Sequence, residues 1–259
     1  MLPVPSTEDD VRLRSNEALH EEIVLREAPQ AGLSGLAFSV PTRDALLALA
    51  ERLQQAGVEL EAPPARSQTP GEDWASAVRD PDGNLVQLIV PMAIPGVQPL
   101  CGRGMGPHRL GHVVLWTPQQ EHMEDFYALL GLHVTDRTHL GMSFLRCNSA
   151  HHTLALARSK QGRTGLQHAA FDVGTVDQVM RERGRLDRAG IQCIWGVGRH
   201  GPGNNVFSYY RDPAGHVIEY YGEMEEWPLA PAGEPRLWGP EHKGDIWEVA
   251  GPAPEPFRD

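Results

Sequence analysis

Cysteine is scarce in this chain: Cys101, Cys147 and Cys193 are the three in 259 residues, widely spaced and without a CxxC pair. An odd, scattered set gives no disulfide framework, so a reduced, cytoplasmic setting is the expectation. Long apolar runs are also missing. None approaches the roughly 20 residues needed to span a bilayer, and the opening MLPVPSTEDD has neither the basic nor the apolar region of a secretory signal. Positive charge is short as well, with 23 Lys+Arg against 34 Asp+Glu and a net charge of −11. That balance argues against nucleic acid, which is bound largely by cations that neutralise phosphates. What is present suits a globular protein: 41% hydrophobic and 22% charged residues, in a length that allows one large domain or two ordinary ones.

The chain repeats itself. RDPDGNLVQLIV (79–90) returns as RDPAGHVIEYY (211–221), and GLSGLAFSV (32–40) returns as GLQHAAFDV (165–173). Gly35 to Gly57 and His168 to Gly190 each span 22 positions. Upstream, LRSNEALH (13–20) matches LRCNSAHH (145–152). Residues 11–91 and 142–222 therefore read as two copies of one unit.

Each unit divides into smaller modules. GHVVLW (111–116) alternates as a strand, and QEHMEDFYALLG (120–131) has the apolar spacing of a helix. HVTDR, MSFLRC and HTLALA follow as short strands. The next module repeats the order: strand 168–173, helix 176–189, then strands near 192–197, 205–211 and 216–221. The expected fold is α+β, with paired βαβββ modules forming curved, mostly antiparallel sheets around a cavity, in two tandem domains. The first half lacks the strand and helix that would open its first module: either that domain is incomplete, or something else, such as a partner chain, covers its open edge. The division expected is 1–95, a linker at 96–107, 108–225 and a Pro/Trp-rich tail at 226–259.

Duplication supplies an internal control. His168 stands where the first copy has Gly35, and Glu219 where it has Gln87. The fold requires neither an imidazole nor a carboxylate at those places. His112, on the first strand of its module, is the third candidate, since pseudo-symmetry brings its strand beside that of His168. Two imidazoles and one carboxylate converging on one point suit a non-haem Fe(II) with open positions. For His112 taken alone, a hydrogen-bonded core residue is the alternative.

The segments LGHVVL, HHTLALA, GLQHAAFDV, GRHGPGN and VFSYYRDPAGHVIEYY carry a family likeness. Through them the chain resembles the type I extradiol catechol dioxygenases of the vicinal oxygen chelate superfamily, over nearly its whole length. The resemblance implies an Fe(II) site of His112, His168 and Glu219, with Mn(II) possible. It also implies His152 as acid–base residue, His200 as a substrate-binding loop histidine and Tyr209 as a hydrogen-bond partner of the substrate hydroxyl. A structural role remains the alternative for His152, whose twin in the first copy is His20, and a solvated loop position for His200. His151 is set aside in favour of its neighbour. The implied reaction is O2-dependent cleavage of a catechol by a homo-oligomer that binds neither nucleic acid nor membrane. The alternatives are an isomerase or glutathione-linked lyase on the same scaffold and a non-catalytic binding protein. Trp227, Trp238 and Trp247 argue that the tail is not wholly disordered; it is expected to pack over the barrel mouth, against a neighbour or along the surface.

Overall fold

The computed structural model describes residues 1–4, 10–15, 21–92, 106–228, 234–242 and 244–258. The first half contains β1 (Leu2–Val4), β2 (Asp10–Arg14), β3 (Ile23–Arg26), β4 (Leu36–Ser39), α1 (Arg43–Gln55), β5 (Leu60–Arg66), β6 (Glu72–Arg79) and β7 (Leu85–Pro91). The second contains β8 (Arg109–Thr117), α2 (Gln120–Leu129), β9 (His133–Thr138), β10 (Met142–Arg146) and β11 (Leu154–Arg158). There follow β12 (Gly165–Gly174), α3 (Val176–Arg188), β13 (Trp195–Arg199), β14 (Val206–Arg211) and β15 (Val217–Gly222). Two βαβββ modules are thus complete in the second half and one in the first.

Local chemistry explains the repeated phrase. The Asp80 carboxylate accepts from the amides of Asp82 and Asn84, while Gly83 takes φ 85°. In the second copy Asp212 accepts from the His216 amide and Gly215 takes φ 91°. A left-handed glycine after a side-chain-capped aspartate turns the chain straight into the last strand of each module. Two of the helices begin with side-chain caps: Thr42 caps α1, and Thr175 and Gln178 form a capping box on α3.

In the second half the modules share one nine-stranded sheet, in the order β13-β14-β15-β12-β8-β11-β10-β9-β16, where β16 (Arg236–Trp238) comes from the tail. β8 and β12 pair antiparallel at the seam, β11 runs parallel to β8, and β15 runs parallel to β12. The first half instead has two separate sheets, β1-β2-β3 and β4-β7-β6-β5. The equivalents of β3 and β4 are β11 and β12, both of which pair with β8. No counterpart of β8 lies between β3 and β4 among the described residues, so the first-half sheet is interrupted there.

One apolar cluster joins the halves. Leu46, Leu53, Val86 and Leu88 belong to the same core as Leu115, Met123, Tyr127, Leu145 and Leu156. The Tyr127 hydroxyl donates to Asp80 at 3.0 Å, tying α2 to the first half's turn. On β8, His112 points away from this core, to the side that also carries Val114 and Trp116 of a smaller apolar cluster.

Three expectations need correction. β11 starts at Leu154, so His152 lies in the turn before the strand rather than opening it; the backbone there is held by Thr153 N to Leu145 O at 2.8 Å. β13 covers Trp195–Arg199, later than 192–197, because Cys193 and Ile194 lead into it from the turn after α3. The tail, expected only to pack over the barrel mouth, against a neighbour or along the surface, also supplies a strand parallel to β9. Most of the expected linker, His20 and Cys101 lie outside the described residues.

Candidate metal centre

The site is built across three adjacent strands. In β12, Ala170 pairs with His112 of β8 on one side and with Glu219 of β15 on the other. His168 is two residues earlier on β12 and therefore shares a face with Ala170. The fully buried methyl of Ala170 leaves space between its neighbours for the longer side chains to converge.

They do converge. Glu219 Oε2 lies 3.1 Å from His112 Nε2 and 3.1 Å from His168 Nε2. One ligand atom from each residue falls within 4.8 Å of the others, and all three side chains are buried. Among the described residues this is the one such cluster of His, Cys, Asp or Glu. In the first half, Gln87 is exposed, and a side chain at Gly35 would start 3.2 Å from the Leu85 carbonyl oxygen.

The hydrogen bonding fits a cation. Gln167 Oε1 lies 3.0 Å from His168 Nδ1, and Glu219 Oε2 faces the other ring nitrogen. A neutral imidazole has one N–H and cannot donate to both acceptors. With the proton on Nδ1, the Nε2 lone pair points at a carboxylate oxygen, a repulsive arrangement that a metal ion between them would relieve. Burial lowers the His168 pKa, which favours the neutral, metal-ligating form. Burial raises that of Glu219, but the two histidines outweigh it and hold the carboxyl well below its usual range. Asn205 donates to Glu219 Oε1 at 3.1 Å, leaving Oε2 for the other partners. This is a site for a divalent metal.

The remaining candidates stand around it. The His152 ring centroid is 4.3 Å from that of His112, and burial followed by the neighbouring His112 and His151 lowers its pKa well below the ordinary range. His200 lies at the start of the Gly-rich loop, with Nδ1 2.6 Å from the Gly244 carbonyl and Nε2 3.0 Å from the Tyr209 hydroxyl. Its Nε2 is 4.0 Å from Glu219 Oε1. Tyr209 sits directly across from Glu219 in the β14–β15 pair, and its ring packs edge-on to His168 at 5.2 Å. Burial and Glu219 push the phenol pKa well up, so it remains a donor. All six residues singled out from the sequence share one neighbourhood.

Sequence reasoning passed over Gln167, Asn205 and Phe257. Alternation places Gln167 on the opposite face from His168, but a register shift between Leu166 and His168 brings both side chains inward. Asn205 is buried at the end of a Gly-rich loop whose path no periodicity reveals. Phe257, in a short 3-10 turn of the tail, packs 4.7 Å from Tyr209 and 6.0 Å from His168. Its only signal was an aromatic residue near the end of an aperiodic segment.

Known proteins are similar to this chain over much of its length. Metapyrocatechase 2 of Cupriavidus necator is 36% identical over 192 residues, covering 62% of this chain and 59% of that protein. A 2,2',3-trihydroxybiphenyl dioxygenase of Sphingomonas paucimobilis is 28% identical over 241 residues, covering 85% and 81%. The crystal structure of a Mn(II)-bound glyoxalase from Novosphingobium aromaticivorans superposes with a TM-score of 0.88 at 32% identity, covering 99% of this chain and 85% of that one. The family profile matches residues 4–88 and 109–220, the two repeated halves, and the chain belongs to the Glyoxalase/Bleomycin resistance protein/Dioxygenase superfamily.

Proposed function

We propose that the chain is an extradiol dioxygenase that opens a catecholic ring with O2. Both oxygen atoms would enter the product beside the hydroxyl-bearing carbons, giving a hydroxymuconic semialdehyde or a related keto-acid. The observation that carries this reading is the meeting of two imidazole nitrogens and one carboxylate oxygen on a buried face ringed by His152, His200 and Tyr209. The dioxygenases among its relatives support it. In this reading residues 108–225 carry the chemistry and 1–95 are a metal-free scaffold.

His112, His168 and Glu219 would hold Fe(II), with Mn(II) the alternative, because this donor set serves both ions. Such an ion, when bound, supplies a Lewis-acidic and redox-active centre for oxygen chemistry. The chain's own groups handle protons and position. His152, kept neutral by burial, accepts a catechol proton and returns one later. His200 Nδ1–H donates to the Gly244 carbonyl, which leaves Nε2 to accept from Tyr209 or from a substrate hydroxyl. Tyr209, held protonated, donates to a substrate oxygen. Phe257, Trp195 and Phe207 wall this side against water. Assembly as a homo-oligomer, with a second copy against the interrupted first-half sheet, belongs to the same proposal, and sedimentation measures it.

A second reading, a metal-dependent isomerase or lyase, is favoured by the Mn(II)-bound glyoxalase neighbour. The two separate on oxygen. Protein reconstituted anaerobically with Fe(II) or Mn(II), then mixed with a panel of catechols in air, should consume O2 and form a yellow ring-fission product. Absence of oxygen uptake with every catechol would defeat the dioxygenase, and metal-dependent turnover without oxygen would establish the second reading.

A further inference from the structure

Behind His152 lies a buried chain of polar groups that the metal centre does not use. Asp136 on β9 accepts from the Trp238 indole N–H at 2.5 Å and lies 3.1 Å from His151 Nε2, both contacts falling on Oδ2. His151 Nδ1 is in turn 3.1 Å from His152 Nδ1. Asp136, His151 and His152 are all buried, His151 completely. The turn that carries the histidines is fixed by its backbone: His151 N donates to Glu225 O at 2.9 Å, and Thr135 Oγ1 donates to His151 O at 2.7 Å. The Gly-rich loop leaves room for the same groups. A Cβ at Gly203 would stand 3.2 Å from His151 Nδ1, and one at Gly201 would stand 2.7 Å from the Trp238 ring.

Proton counting gives this chain a direction. A carboxylate only accepts, so the single proton of a neutral His151 is drawn to Nε2. Its Nδ1 then has only a lone pair, and the contact at 3.1 Å requires the proton of His152 on Nδ1. The Nε2 of His152 is left as a lone pair available to a substrate. We infer that Asp136, His151 and Trp238 are positioning residues that hold His152 in its Nδ1–H tautomer with Nε2 as the basic nitrogen. The inference rests on the reading of His152 as the acid–base residue, and it gives the tail strand β16 a role, since Trp238 orients the carboxylate at the head of the chain.

Tautomers are read directly in long-range 1H–15N spectra of histidine-labelled, full-length protein loaded with diamagnetic Zn(II). Wild type should show His152 protonated on Nδ1. His151→Leu, which removes the acceptor, should abolish that preference and lower kcat by about 10- to 100-fold with KM little changed, part of the roughly 10²–10⁴ that a positioned acid–base group contributes. His151→Asn puts an amide oxygen near the place of Nδ1 and should restore both the tautomer and most of kcat, which a purely packing role would not do. If wild-type His152 carries its proton on Nε2, or if His151→Leu leaves tautomer and kcat unchanged, the inference is overturned. Should the tautomer pattern appear while no catechol is oxidised by any of the proteins, the inference stands and the dioxygenase reading fails.

Discussion

At the scale of single residues, His168 is held between two acceptors, and the side chain that resolves its protonation is Gln167. A histidine ligand oriented through its far nitrogen depends on that partner, whose loss typically weakens metal binding about 10- to 100-fold. Gln167→Leu should therefore show metal affinity lower by about that factor in a chelator competition. His168→Ala should retain no metal while keeping its circular dichroism spectrum, and a variant that still holds a full equivalent would remove His168 from the ligand set. His168 and Glu219 were legible in the sequence because the duplicated half offers Gly35 and Gln87 for comparison, and His112 because pseudo-symmetry sets its strand beside that of His168. Gln167 and Asn205 were not. Their contribution depends on a local register shift and a loop path, neither of which leaves a mark in residue type.

At the scale of elements, the small size of Ala170 matters as much as the ligands beside it. Ala170 faces His112 across the antiparallel β8–β12 pair, where opposite Cβ atoms come within about 4.5–5.5 Å, and lies beside Glu219 on the parallel β15. A larger side chain at 170 would enter the gap that His112 and Glu219 reach across. Ala170→Leu should cost about 1–3 kcal/mol from overpacking, seen as a lower melting temperature of the metal-free protein, together with loss of metal retention. An unchanged melt and full metal content would show that the strand triplet is less tightly filled than its pairing indicates. The modules themselves were readable from strand alternation, from the helical spacing of Met123, Phe126, Tyr127 and Leu130, and from the RDPxG turns. β16 was hidden, because three residues paired to an edge strand carry no period. The position of His152 was misjudged by two residues, since a histidine next to Thr153 and Leu154 looks like strand before the turn geometry is known.

For the whole molecule, burying several histidines at one site ties stability to pH. His152, His168 and His200 all have pKa values lowered from the ordinary 6.5, with burial the leading cause. The unfolded chain then binds more protons than the folded one just below 6.5, so stability rises with pH through this range. It is complete above about 6.5 and is lost as pH falls toward the depressed folded values. Glu219, also depressed, adds a further loss below its ordinary 4.5. Metal-free protein should show a melting temperature that declines steadily from pH 7 to pH 5, and a flat profile would mean that these rings are hydrated. The loaded protein should release its ion over the same interval as the ligands protonate.

The seam between the two complete modules has one more consequence. Fraying from the β13 edge must strip three strands before it reaches β12, and from the β16 edge four before it reaches β8. His112 and His168 thus ride on the part of the chain whose amides should be last to exchange with deuterium. An ion held there would not be released by fraying of either sheet edge, so metal loss and exchange of the edge strands should be separate events.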